Sequence, residues 1–314
     1  MLYIGIDLGG TGIKAGVVDE QGNILYKDSC PTGVERGYEA VIHDMAQMAF
    51  TVARKTSHEM SEIKAIGIGL PGIMDQRTGR VPFCTNLAWH DVPLIDEMAK
   101  YTDRPVFADN DATVAGLAES VAGVSAGCES SVFVTLGTGV GGGVVLGGKV
   151  FSGSHGVATE IGHTVTVDGG ELCTCGKRGC WERYASATAL IREGCRLCER
   201  KPDTKLMKVV NGDLKMIGAR NVIDLARAGD PDCMVLFDNY IHHLCVGLVN
   251  LINLYDPEVI VLGGGVSKAG EFLLNAVRAK LPGMVFFKTM PYARIALAKL
   301  TNDAGIIGAA MLGR

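Results

Sequence analysis

IGIDLGGTGIKAGVV, residues 4–18, and VFVTLGTGVGGGVV, residues 132–145, are two versions of one pattern. In each, an apolar run of strand length meets a turn of glycine and threonine, and a second apolar run follows at once. In the first copy, Gly9, Gly10, Thr11 and Gly12 join runs at 2–8 and 13–19, which reads as a hairpin. One supersecondary unit occurring twice in 314 residues points to an internally duplicated α/β protein, whose halves are expected to enclose a cleft.

Working outward from the first copy, a third strand is expected near 23–29. Apolar residues at helical spacing (Val41, Ile42, Met45, Met48, Ala49, Val52) predict a helix over 37–56. A strand at 64–70, a Pro71-Gly72 turn, an irregular stretch to about 91, a short helix and a strand at 105–108 follow. A helix starts near Asn110, with Asp109 as its expected cap. After the second copy come a long amphipathic helix at about 231–254, a buried strand EVIVLGGG at 258–265, another helix and a last strand near 294–298. The expected division is a first domain of residues 1–116 plus 302–314 and a second of residues 117–301.

Composition narrows the function classes. Forty-two glycines are about twice the ordinary share, and they read as turns and as places where backbone approaches a ligand. A net charge of −4 gives no electrostatic footprint for nucleic acid. No apolar run reaches membrane-spanning length, and MLYIGIDLGG opens directly on a strand pattern, so a cytoplasmic enzyme without a membrane partner is expected.

The glycine turns suggest phosphate chemistry of a particular kind. Gly137, Gly139 and Gly142 have GxGxxG spacing, but a dinucleotide loop must open a helix, and GVVLGG opens a strand. Gly143 to Lys149 matches GxxxxGK, yet Val150 stands where a magnesium-binding hydroxyl belongs. What remains is hairpin turns whose bare amides can meet phosphates. Thr11 and Thr138 add hydroxyls, and Asp7 is able to hold a hydrated magnesium ion. The run Gly263-Gly264-Gly265 has room for a nucleotide base or ribose against its backbone.

DLGGTGIK (7–14), LGTGVGGG (136–143), EIGH (160–163) and CTCGKRGC (173–180) occur in an order and at intervals that resemble the ROK sugar kinases, a branch of the actin-like ATPase superfamily. The resemblance covers essentially the whole chain. It implies two ribonuclease-H-like domains around a central cleft, ATP with Mg2+, and phosphoryl transfer to a small-molecule sugar, with the 6-hydroxyl of glucose as the leading acceptor. Another hexose or an N-acetylhexosamine (N-acetylmannosamine, N-acetylglucosamine, allose) is the alternative. The family also contains sugar-responsive repressors, but those carry an N-terminal DNA-binding segment, for which a strand beginning at residue 2 leaves no room. Family members are often dimers or tetramers.

Residue by residue, the resemblance assigns Gly9, Gly10, Thr11, Gly137, Thr138, Gly139, Gly264 and Gly265 to the nucleotide, together with Asp7. Within ADNDA (108–112), Asp111 resembles the family's catalytic base and Asn110 a ligand of sugar hydroxyls. Glu160, His163 and Glu182 match residues that hold the sugar, and Gly72 lets backbone approach it. Thr113 and Thr159 depart from the family's Asn and Gly, and are expected to reshape the pocket edge. His163 with Cys173, Cys175 and Cys180 makes a closed Cys3His set for structural Zn2+. A disulfide would leave a thiol over, and a redox pair would more naturally show C-x-x-C. Cys195 and Cys198 do have that spacing, but on a helix without partners nearby, so a core or surface role is expected.

Overall fold

The computed structural model describes residues 1–314. Strands β1 (Leu2–Leu8) and β2 (Gly12–Asp19) form the expected antiparallel hairpin, and β3 (Ile24–Pro31) pairs with β2. Helix α1 (Tyr38–Lys55) leads to β4 (Ile63–Leu70), which lies parallel to β1. The stretch expected to be irregular contains a small antiparallel sheet of β5 (Ile73–Asp75), β6 (Arg80–Cys84) and β7 (Trp89–Val92), three to five residues being too few to show a strand period. Helix α2 (Leu94–Ala99) precedes β8 (Val106–Asn110) and α3 (Asp111–Ala122).

The second round has β9 (Ser130–Leu136), β10 (Val140–Leu146) and β11 (Lys149–Val150). Helices α4 (Glu182–Ala185), α5 (Ala187–Arg200), α6 (Lys205–Val209), α7 (Ala219–Arg227) and α8 (Pro231–Tyr255) follow. Then come β12 (Val259–Gly263), α9 (Gly264–Ser267), α10 (Glu271–Lys280) and β13 (Arg294–Leu297), with α11 (Ala304–Met311) closing the chain. The duplication is visible in topology. One sheet is ordered β3-β2-β1-β4-β8 and the other β11-β10-β9-β12-β13, so each reads third, second, first, fourth, fifth. Helix α8 has the length and apolarity to cross a bilayer, unlike any run picked out in the sequence. Its Phe237, Tyr240, Ile241, Leu244, Leu248 and Leu251 are instead buried as core.

The chain divides into two compact units, residues 1–133, 143–159 and 299–314 in one, and 134–142 with 160–298 in the other. The expected boundary at 116 therefore falls inside α3. That helix stays whole in the first unit because Gly308 of α11 lies directly on its Val114 carbonyl.

The first sheet is covered on both faces. Ile4, Ile6, Leu8 and Ile13 pack with Val41, Met45, Met48 and Val52 of α1, while Tyr3, Val18 and Ala65 pack with Leu117, Ile306, Ile307 and Ala310. On that second face, a Cβ on Gly5 would run into the Ile306 carbonyl, and one on Gly67 into the Ala309 carbonyl. These two glycines thus serve neither a turn nor a ligand contact, but let α11 lie backbone to backbone on β1 and β4. Gly67→Ala is expected to cost at least 1–3 kcal/mol, roughly the range for overpacking, since backbone and not a movable side chain is in the way. Urea unfolding of this variant should show a lowered midpoint, and an unchanged midpoint would contradict the tight seating of α11.

Candidate active site

In the first unit, the β1–β2 register sets Asp7 opposite Lys14, and Lys14 Nζ lies 2.9 Å from Asp7 Oδ2. The Asp7 side chain is 22% exposed and therefore reachable. The turn is tied by Gly9 N donating to the Gly12 carbonyl (2.9 Å) and by the buried Thr32 hydroxyl donating to the Gly9 carbonyl (2.6 Å). Gly305, at the start of α11, sits against the Asp7 carboxylate with no room for a Cβ. A reachable carboxylate of this kind is able to take up a hydrated cation. Lys14 and Thr32 do not stand out as site residues in the sequence. Hairpin register points to the first, whereas the second comes from a distant strand end.

The β8–α3 junction separates three polar residues by burial. Asn110, not Asp109, caps α3: its Oδ1 accepts from Ala112 N at 2.9 Å, while its Nδ2 donates to the Gly72 carbonyl at 3.2 Å. Asp109 is 7% exposed and accepts from Asn110 N (2.7 Å) and the Ser152 hydroxyl (3.0 Å). Burial pushes its carboxyl up, against the pull of those two donors. Asp111 is exposed, with Oδ1 accepting from Ala112 N at 2.7 Å. The junction thus brings Gly72 and Asn110 together and leaves Asp111 as its accessible carboxylate. Thr113 is buried, under Gly143, so this departure fills core and does not reshape a pocket edge. Thr159 holds φ at 74°, a left-handed backbone that is costly for a β-branched residue.

In the second unit, Gly137 N donates to the Gly139 carbonyl at 3.0 Å. The start of α5 seats on this turn, with Ala187 N donating to the Gly137 carbonyl (2.8 Å) and the Thr188 hydroxyl to the Thr138 carbonyl (2.7 Å). A helix N-terminus adds its positive end to the amides of the turn. Gly264, with φ at 82°, lies so close to the Leu136 backbone that no side chain fits, and Gly265 faces open space. Gly265 joins Ala187, Ile223, Asp224, Arg227 and Lys268 around a cavity of about 490 Å³, a volume suited to a nucleoside. Ile223, Asp224 and Arg227 were missed, because nothing in the α7 pattern separates a cavity-facing residue from a surface one.

Also in this unit, His163, Cys173, Cys175 and Cys180 bring one ligand atom each to within 4.8 Å of one another. Cys175 and Cys180 sulfurs are 3.5 Å apart, and Cys173 Sγ is 3.7 Å from His163 Nδ1. Tetrahedral zinc, with bonds of ~2.3 Å to sulfur and ~2.0 Å to nitrogen, asks for S–S and S–N separations of about 3.8 and 3.5 Å, so the donor set fits. Burial pushes the Cys173 thiol up to about 12 and raises Cys180 as well, while the Lys177 amide lowers Cys175. Binding of a cation would therefore release protons. Lys177 is a brace more than a solvated cation, since Nζ donates to the His163 carbonyl at 3.0 Å. Trp181 anchors the loop, its buried ring against Gly247 and its Nε1 donating to the His243 carbonyl at 2.8 Å. Glu182 connects this cluster to the glycine turn. Its Oε1 accepts from Cys173 Sγ at 3.0 Å, and a Cβ on Gly139 would stand 2.5 Å from Oε2. Glu160 is exposed, one turn of 3-10 helix before His163. Cys198 is buried beside Thr204, and the half-buried Cys195 donates Sγ to the Leu214 carbonyl at 3.7 Å, in keeping with a core or surface role.

Two sheets of one strand order, each opened by a glycine-turn hairpin, define the actin-like ATPase fold. Within it, the ROK family model matches residues 3–314, and the chain belongs to the ROK family. It is 38% identical over 310 residues to a glucokinase of Thermotoga maritima, covering 98% of this chain and 96% of that one. Among solved structures it resembles a ROK family glucokinase from Streptomyces griseus in complex with glucose and AMPPNP, at 35% identity and TM-score 0.82 over 99% of both chains. It is also similar to a ROK hexokinase from Thermus thermophilus, at 36% identity and TM-score 0.82, covering 99% of this chain and 97% of that one.

Proposed function

We propose that this chain is an ATP-dependent hexose kinase that phosphorylates glucose at its 6-hydroxyl, a glucokinase. The observation that carries the reading is the full-length likeness to the Streptomyces griseus enzyme crystallised with glucose and AMPPNP. Asp111 is the general base: its carboxylate accepts the proton of the 6-hydroxyl as that oxygen bonds to the γ-phosphorus and ADP leaves. Its exposure supports the role, as does the burial of the neighbouring Asp109. Asn110, Glu160, His163, Glu182 and the Gly72 backbone hold the sugar. Carboxylates suit this task because each oxygen accepts from a vicinal hydroxyl. His163 turns Nδ1 to Cys173, which leaves Nε2 for a sugar hydroxyl.

The nucleotide is held by Gly9, Gly10 and Thr11, by Gly137, Thr138 and Gly139, and by Gly264 and Gly265 beside the 490 Å³ cavity. Magnesium, when bound, supplies neutralisation of the phosphate charge, and Asp7 is the carboxylate that holds its water shell. Zinc on His163, Cys173, Cys175 and Cys180, when bound, supplies rigidity to the loop from which Glu182 reaches the sugar.

A coupled assay with ATP and a panel of hexoses and N-acetylhexosamines tests the substrate, and a higher kcat/KM for an N-acetylhexosamine than for glucose would overturn it. Glu160→Gln should raise the glucose KM by roughly 10-fold while leaving kcat nearly unchanged, because it removes a charged acceptor present in both ground and transition states. A fall in kcat at constant KM would move Glu160 from sugar binding to the chemical step.

A further inference from the structure

The segment Phe83–Asp91 is unusually costly for its length. Ala88 (φ 54°) and Asp91 (φ 51°) both hold left-handed backbone without being glycine. Between them the Trp89 indole N–H is buried without a hydrogen-bond partner. Strain and an unpaired donor concentrated in nine residues mark a segment held for a purpose other than stability.

That segment also touches both glycines assigned to different jobs in the first unit. A Cβ on Gly72, in the sugar turn, would stand 2.8 Å from Cys84 Cβ and 2.9 Å from the Phe83 carbonyl. A Cβ on Gly10, in the phosphate turn, would stand 3.1 Å from the Asn86 carbonyl oxygen and 3.6 Å from Asn86 Cβ. The buried Cys84 thiol donates to the Pro71 carbonyl at 3.2 Å, fastening the segment to the sugar turn. Asp111 is near enough for its charge to add to the rise that burial gives the Cys84 thiol, against the Leu87 and Asn86 amides. The 3-10 turn Thr85–Leu87 thus lies at the meeting point of phosphate turn, sugar turn and base; Thr85 and Asn86 are both exposed, and Asn86 is the one with a carboxamide and the one whose Cβ and carbonyl lie against Gly10.

Resting on the kinase reading, we infer that Asn86 is a further catalytic residue, whose carboxamide Nδ2 donates to an oxygen of the transferring γ-phosphoryl group. A neutral carboxamide fits a site that must receive anionic phosphate next to the Asp111 carboxylate. It donates to the phosphoryl oxygens without drawing a proton from the 6-hydroxyl or forming an ion pair with the base. The Asn86 Cβ, 3.6 Å from where a Cβ on Gly10 would stand, roots the carboxamide next to the phosphate turn.

The test compares nucleotides that differ only in the γ-group. Calorimetry of the full chain with magnesium should show Asn86→Ala weakening AMPPNP about 10-fold and leaving ADP unchanged. Glucose phosphorylation by the same protein should lose roughly 10²-fold in kcat, with little change in glucose KM, as for loss of one transition-state donor. Asn86→Asp, nearly isosteric, checks folding by thermal unfolding and should discriminate against AMPPNP still more strongly, since it sets a negative charge against the γ-group. Equal effects on AMPPNP and ADP in both variants, or none, would overturn the inference. A wild-type protein that binds AMPPNP but does not phosphorylate glucose would remove the substrate reading and leave the nucleotide comparison decisive for Asn86.

Discussion

Asp111→Asn is expected to bind glucose within about threefold of wild type and to turn it over roughly 10²–10⁴-fold more slowly, the range for losing a general base. The substitution is nearly isosteric. An asparagine oxygen still accepts from Ala112 N, as Asp111 Oδ1 does at 2.7 Å, so the first turn of α3 persists. Asn110, which caps the helix, is untouched. What disappears is the capacity to take up the hydroxyl proton, so the loss falls on kcat and spares the ground state. Calorimetry for binding and a coupled assay for turnover separate the two. If turnover stays near normal, the base lies elsewhere. Asp109 would be the next residue to test, although burial and its three hydrogen-bond donors make it the poorer candidate.

Cys175→Ser should leave the protein with well under one zinc per chain and without measurable glucose binding, while nucleotide binding survives. Cys175 is the exposed ligand of the four, so its replacement opens no cavity in the core. Loss of one sulfur ligand costs much of the binding free energy of a structural zinc, which is about 10–16 kcal/mol in small zinc domains. The loop would then rely on the Trp181 anchor and on the tight turn where Cys173 N donates to the Lys177 carbonyl (2.8 Å). Neither holds the Glu182 carboxylate, whose Oε1 meets the thiol of Cys173 and lies 3.8 Å from His163 Nδ1. Elemental analysis reads the metal and calorimetry the sugar. Cys195→Ser, at a half-buried thiol outside the cluster, is the control and should keep its zinc. Wild-type protein that is zinc-free and fully active would sink the assignment.

Much of this was legible in the chain because its strongest signals are local. Buried strands interrupted by glycine and threonine announce hairpins, and the same order of signals twice announces two like sheets. The cysteine cluster was equally plain, since three of four ligands lie within eight residues. What stayed hidden depends on partners far away in sequence. Ser152 reaches Asp109 across 43 residues, and Gln76 donates to the Ala108 carbonyl across 32. Thr113 follows the catalytic stretch and so looks like a pocket residue in the sequence, but two residues beyond Asp111 α3 has turned it into the core. The boundary at 116 failed for a related reason, as α3 is claimed by a helix that the chain supplies only at its end.

That late arrival has a consequence during synthesis. Strands β1 and β4 and helix α3 are complete by residue 122, yet the face bearing Tyr3, Val18, Ala65 and Leu117 stays uncovered until α11 leaves the ribosome. At roughly 5–20 residues per second, the intervening stretch keeps that apolar surface waiting for about 10–40 s. The two glycines that admit α11 so closely leave the nascent sheet with bare backbone where side chains would otherwise offer shelter. The first half of the protein thus keeps an apolar face open for most of its own translation, and it becomes a finished body only when residues 299–314 clasp it shut.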